Sequence, residues 1–178
     1  MNRFLIPLGA FVLLVVVLAV GIKNSPDKGT IPSPLIGKPA PVFNLATLTE
    51  PKRTMSNAEL RGKWYVINIW GTWCAMCRVE HPFLLEMKRS NLMPIVGLNW
   101  KDNDETARQW LAQFGDPYDV IAMDYDGSVA IDWGAYGAPE TFLVNPEGIV
   151  VKKQVGIMTP EVWNDFLSHL PASKSNKS

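Results

Sequence analysis

Hydrophobic side chains are distributed along this chain in two different ways. From Phe4 to Ile22 runs a 19-residue stretch with no charged side chain, wholly apolar from Phe11 to Val20. A helix of that length reaches roughly 28 Å, close to a hydrocarbon core of about 30 Å. Beyond it the apolar positions come in short runs with strand or helix period. Trp64 to Trp70 (WYVINIW) predicts a buried strand, rich in β-branched and aromatic residues. Cys74 to about Arg89 reads as a helix and Pro94 to Trp100 as a second buried strand, which makes a βαβ unit. Asp104 to Phe114 has helical period through Ala107, Trp110, Leu111 and Phe114, and Gly115 stops it. A short strand is expected from Tyr118 to Met123. Thr141 to Asn145 and Ile149 to Val155 flank the turn Pro146-Glu147-Gly148 and predict a hairpin. Thr159-Pro160-Glu161 supplies an N-cap, a first-turn proline and an acidic second position for a closing helix. The expected fold class is therefore α/β, a mixed sheet flanked by helices, behind one N-terminal transmembrane helix.

Three readings compete for the first segment: a retained signal anchor, a cleaved signal peptide, and a buried core helix. A core helix apolar all round at an extreme terminus is a poor fit. The run exceeds the 7–15 apolar residues of a signal peptide, which favours the anchor, although Ala19-Val20-Gly21 offers a small-residue cleavage site. Arg3 precedes the span while Lys23 and Lys28 follow it, so charge counting does not orient it. The expected organisation is an anchor over 1–22, a Pro-rich linker over 23–41, one compact domain over 35–170 and a polar tail over 171–178. The linker carries Pro26, Pro32, Pro34, Pro39 and Pro41, which makes an extended spacer. With 178 residues the chain has room for one domain of ordinary size, and 47% hydrophobic residues exclude a disordered chain. Its 17 basic and 17 acidic residues cancel, which argues against a general nucleic-acid binder.

The only two cysteines are Cys74 and Cys77. Three apart at the start of a helix, they share a face with about 5–6 Å between Cβ atoms, and a small rotation closes a disulfide. At the helix N-terminus, unpaired N–H groups and the helix dipole stabilise a Cys74 thiolate. Cys77, one turn inside, is placed to attack a mixed disulfide formed at Cys74. As a structural staple the pair closes too short a loop to contribute more than about 2 kcal/mol. As a metal site it lacks partners, because only His81 and His169 exist and Met76 is a weak ligand. Redox exchange is the favoured reading, on the helix that follows a buried strand as in the thioredoxin arrangement.

Around this pair stand Trp73-Cys74-x-x-Cys77-Arg78-x-Glu80-His81-Pro82, then Gly97-Leu98-Asn99 with Lys101-Asp102, then Gly134-x-Tyr136-Gly137-Ala138-Pro139-Glu140-Thr141-Phe142. In these motifs, and in the apolar segment before them, the chain resembles the thioredoxin-like thiol:disulfide interchange proteins of cytochrome c maturation, the DsbE/CcmG family. The resemblance implies a thioredoxin-like fold and a protein-disulfide reductase in which Cys74 and Cys77 are catalytic. It implies that Pro139 is the cis-proline opposite the CxxC helix and that the backbone of Ala138 pairs with an extended substrate. Trp73, Glu80 and Glu140 fall near the active site, where a carboxylate opposes a thiolate and raises its pKa. No cofactor beyond the Cys74–Cys77 disulfide and no metal is implied. The implied partners are apocytochrome c with its haem-attachment CxxCH, maturation thiol proteins and a membrane thiol-reductant transporter, with the domain on the periplasmic side of the bacterial inner membrane. The family often has a proline between the cysteines; here Ala75-Met76 stands instead.

Two rival functions remain at this stage: a general periplasmic disulfide oxidant or isomerase of the same fold, and a non-enzymatic copper-delivery protein. From Asp102 to Glu147 there are ten acidic residues and one basic, Arg108, so the zero net charge is a cancellation between regions. Such a segment suits basic partners or forms a solvated acidic face.

Overall fold

A computed structural model describes residues 5–23, 33–49 and 53–171. Its contacts divide the chain into two units, Met1–Pro32 and Ser33–Ser178. In the first, α1 (Leu5–Lys23) is one helix, and its described side chains, residues 6–21, are all uncharged and exposed. Among the described residues no helix is long and apolar enough to cross a membrane. Nearly half of the expected linker, residues 24–32, and the tail from 172 onward lie outside the described residues.

The second unit opens with a small antiparallel pair, β1 (Asn44–Ala46) and β2 (Thr54–Ser56). A main sheet follows. Its strands are β3 (Tyr65–Trp70), β4 (Ile95–Trp100), β5 (Val120–Asp124), β6 (Glu140–Val144) and β7 (Val150–Val155). Helices α2 (Ala75–Ser90), α3 (Asp104–Phe114) and α4 (Ser128–Asp132) fall between them, and α5 (Pro160–Ser168) closes the chain's described fold. The sheet order is β5-β4-β3-β6-β7. β4 runs parallel to both β3 and β5, whereas β6 is antiparallel to β3 and to β7. The expected mixed sheet of a βαβ unit and a hairpin is thus present.

Alternation along the strands sends side chains to two cores. Val66 and Trp70 pack with Leu84 and Met87 of α2 and with Trp163 and Phe166 of α5. Tyr65, Ile67 and Ile69 pack on the opposite face with Phe142, Val144 and Trp133. Asn68, fully buried at the middle of β3, faces the α2 side with Val66 and Trp70.

Two features depart from the sequence reading. Residues 33–41, the end of the expected spacer and from 35 the start of the expected domain, are held to the hairpin: Gly37 and Ala40 donate to the carbonyls of Val150 and Gly148 at 2.8 Å each. The short elements β1, β2 and α4 were not signalled by hydrophobic period. For α4 the cause is visible: its N-cap, Gly127, has no capping side chain. The buried Asp124 instead accepts from the N–H groups of Val129 and Ala130, and it is four to six residues away from the helix start it serves.

Candidate active site

The end of β3 leads through Gly71, Thr72 and Trp73 directly into α2. Cys74 is the N-cap of this helix, with extended backbone (φ −90°, ψ 104°), and its sulfur accepts from the Cys77 N–H at 3.0 Å. Cys74 and Cys77 are joined as a disulfide with Cα atoms 5.3 Å apart. Both residues are buried, in the core cluster that also contains Trp70. The loop before Cys74 is gripped by the segment after β4. Asp102 accepts from the Thr72 N–H at 2.7 Å and from the Thr72 hydroxyl at 2.9 Å, while Trp73 donates its indole N–H to the Trp100 carbonyl at 2.9 Å. Burial raises the Asp102 carboxyl, but donors from Thr72, Asn103 and Thr106 outweigh it and hold the group below the usual carboxylate range. Gly71 is required here, because a Cβ would lie 2.5 Å from the Trp73 indole nitrogen. The Trp73 ring itself remains 54% exposed beside the disulfide.

Beneath α2 lies a buried polar network. Glu80, one turn beyond Cys77, is 1% exposed. Its Oε1 accepts from the Asn68 amide at 2.9 Å and its Oε2 from the Met158 N–H at 2.8 Å. The Asn68 amide also donates to the Thr141 hydroxyl at 3.0 Å, and its carbonyl oxygen accepts from the Tyr118 hydroxyl at 2.8 Å. The Tyr118 bond orients the amide so that its NH₂ faces Glu80. Burial pushes the Glu80 carboxyl from 4.5 up to about 7, with the Met158 and Asn68 donors pulling the other way.

The Ala138–Pro139 peptide is cis, as the motif led one to expect. Ala138 packs against the cluster holding both cysteines, and the Pro139 carbonyl accepts from the Gly156 N–H. Next in the chain, Glu140 is fully buried and points to the opposite face of the sheet from Glu80, since Thr141 is the β6 residue registered with Asn68. Its partner is Lys153 of β7, Nζ to Oε2 2.8 Å. Among the described residues no cluster of three or more metal-ligating side chains forms.

A disulfide at a helix N-cap, a buried carboxyl one turn on and a cis-proline loop together equip a site for thiol exchange. Residues 35–166 match the Redoxin family. The chain is 43% identical over 171 residues to the thiol:disulfide interchange protein DsbE of Allochromatium vinosum, covering 96% of this chain and 93% of that one. It is 42% identical to the DsbE of Pseudomonas aeruginosa over 166 residues, 93% of this chain and 91% of that one. This chain belongs to the DsbE family. It is a thiol:disulfide oxidoreductase. Among solved structures, a DsbE-like interchange protein from Chlorobium tepidum superposes with a TM-score of 0.65 at 24% identity, over 75% of this chain and 95% of that one. The thioredoxin domain of an oxidoreductase from Bacteroides vulgatus gives 0.67 at 22% identity, over 76% and 98%. These two establish the thioredoxin-like fold.

Of the site residues read from sequence, the DsbE-family fold gathers Trp73, Cys74, Cys77 and Glu80 at the head of α2, with Ala138 packed against the core cluster to which both cysteines belong. Glu140 is separated from that group by the sheet, and its charge is met by Lys153. Sequence reading missed Asn68, Tyr118, Thr72, Asp102 as a loop holder, and Lys153. Asn68 carried a signal, being the one polar side chain within the apolar run WYVINIW. Lys153 carried none, because a lysine on a hairpin strand ordinarily faces solvent.

Proposed function

We propose that this DsbE-family chain is a membrane-anchored reductase on the periplasmic side of the bacterial inner membrane. Its substrate is the CxxCH disulfide of apocytochrome c, or a maturation partner holding it, reduced so that haem can attach. The observation that carries this reading is the packing of Ala138, beside cis-Pro139, against the core cluster that contains Cys74 and Cys77. An extended peptide that pairs with this backbone brings its disulfide to the N-cap cysteine. Anchoring rests on the uncharged sequence from Phe4 to Ile22 and on the exposed apolar side chains of α1.

In the reduced chain the Cys74 thiolate attacks one sulfur of the substrate disulfide, and the other substrate sulfur leaves as a thiolate and takes a proton. Cys77, deprotonated, then attacks the Cys74 sulfur of the mixed disulfide and releases the second substrate thiol. The substrate gains two electrons and two protons, and the chain is left as the Cys74–Cys77 disulfide. Glu80, near neutrality in its affinity for a proton and one turn from Cys77, is placed to take the Cys77 proton. A membrane thiol-reductant transporter restores the dithiol.

Replacing the resolving cysteine, Cys77→Ala, leaves the mixed disulfide without its second step. Expressed in native membranes, this variant is expected to accumulate adducts containing apocytochrome c or maturation thiol proteins. Adducts spread over unrelated exported proteins, with neither of these present, would overturn the substrate assignment in favour of a general oxidant or isomerase.

A further inference from the structure

We propose that Lys153, paired with Glu140, is a positioning residue that clamps the cis-proline loop from behind and so governs recognition of peptide disulfides. The inference deepens the reading above, since it takes the Ala138 backbone as the surface that a substrate strand meets.

One ammonium group ties down the start, the middle and the end of this loop. Lys153 Nζ donates to the Gly134 carbonyl at 2.9 Å, at the loop's beginning. It lies 4.9 Å from the ring centroid of Tyr136, in the loop's middle, and 5.2 Å from that of Phe142, on the strand that follows. It pairs with Glu140 Oε2 at 2.8 Å at the loop's end. Glu140 Oε1 in turn accepts from the Tyr136 N–H at 3.1 Å. Both side chains are buried, 4% and 0% exposed. A charge pair so desolvated holds its geometry tightly, because loosening it leaves a buried ion without a partner. Gly134 enters the loop at φ +65° as the residue that ends α4, its N–H donating to the Ile131 carbonyl, and its own carbonyl accepts from Lys153.

The clamp stands on the face of the sheet away from Glu80. Lys153 is registered with Phe142, and Phe142 packs in the core of that opposite face. Position 153 therefore acts on where the Ala138–Pro139 backbone sits, without touching the network that faces Cys77. A role in recognition and no role in sulfur chemistry is the consequence, and the two can be measured apart.

Removing Lys153 alone strands the Glu140 carboxylate and threatens folding, so the test uses the paired variant Lys153→Met/Glu140→Gln, which deletes both charges at similar volume. The full-length chain is pre-reduced, and single-turnover oxidation is followed with two probes: a CxxCH peptide disulfide and a small aromatic disulfide with no backbone to pair. The expected result is a roughly tenfold rise in the peptide concentration giving half-maximal rate, with the limiting rate and the small-disulfide rate within about twofold of wild type, in keeping with a lost orienting contact. The variant Lys153→Arg, which keeps the cation, is expected to recover most of the peptide affinity. An unchanged peptide dependence overturns the clamp, and so does an equal loss with both probes, which would assign the pair to the fold as a whole. A third peptide disulfide lacking the CxxCH sequence separates the two proposals. If wild type does not discriminate it from CxxCH, the cytochrome assignment fails while the clamp is still judged by the ratio of peptide to small-molecule behaviour.

Discussion

Replacing Glu80 with glutamine should invert its effect on stability between acid and alkaline pH. In the folded chain the carboxyl is raised from 4.5 to about 7 by burial, so folding favours its protonated form. Stability associated with this group is complete below about pH 4.5 and is lost as pH rises through about 7. At roughly 1.4 kcal/mol per pH unit, the climb from 4.5 to about 7 amounts to about 3 kcal/mol by pH 8. Glutamine carries no charge and escapes that loss. It can still accept from Asn68 through its carbonyl, but its NH₂ then faces the Met158 N–H, a mismatch costing about 1 kcal/mol at every pH. The variant should thus be about 1 kcal/mol less stable than wild type at pH 4.5 and about 2 kcal/mol more stable at pH 8.5. Urea unfolding of the oxidised full-length chain across that range, read as midpoint and slope, measures both ends. If the two stability curves run parallel from pH 4.5 to 8.5, Glu80 does not titrate as its burial requires, and it loses its place as proton acceptor for Cys77.

Two further substitutions probe the scaffold of the site. Asp102→Ala removes both bonds to Thr72 and the acceptor for Asn103 and Thr106, and is expected to cost about 1–3 kcal/mol. An unchanged urea midpoint would remove Asp102 from the list of residues that hold the Cys74 loop. Gly97→Ala puts a Cβ 2.8 Å from both the Trp70 indole nitrogen and the Tyr118 ring, which stack on each other with centroids 5.4 Å apart. Overpacking of this kind costs about 1–3 kcal/mol. It should also alter the near-ultraviolet circular dichroism of the aromatic cluster, and a native spectrum at wild-type stability would count against that geometry.

Much of the fold was legible because the elements that build the sheet obey their periods. WYVINIW became β3, and the expected start of a helix at Cys74 is its N-cap. Thr159 caps α5 through its hydroxyl as its sequence context announced. The strand after α3 begins at Val120, two residues later than Tyr118, whose hydroxyl donates to Asn68, although the Asp119 N–H already donates to the Ile95 carbonyl. The short pieces escaped because three residues of β1 or five of α4 contain less than two turns of any period. The catalytic pair was legible from spacing, and Pro139 from its motif. The groups that set the site's electrostatics were not, since a hydrogen bond between residues 68 and 80, or an ion pair between 140 and 153, depends on register between strands and not on any local pattern. The sequence also left open whether Glu80 and Glu140 were solvated; both are buried.

Glu140 and Thr141 are neighbours on one strand, yet they serve opposite sides of the sheet. Thr141 joins the network around Glu80, while Glu140 meets Lys153 behind the loop. Strand geometry thereby gives natural selection two handles that do not interfere. On the proposed roles, exchanges at 140 and 153 alter peptide recognition while Glu80 keeps its Asn68 and Met158 partners. A scaffold partitioned in this way can diversify its clientele without re-inventing its electrochemistry.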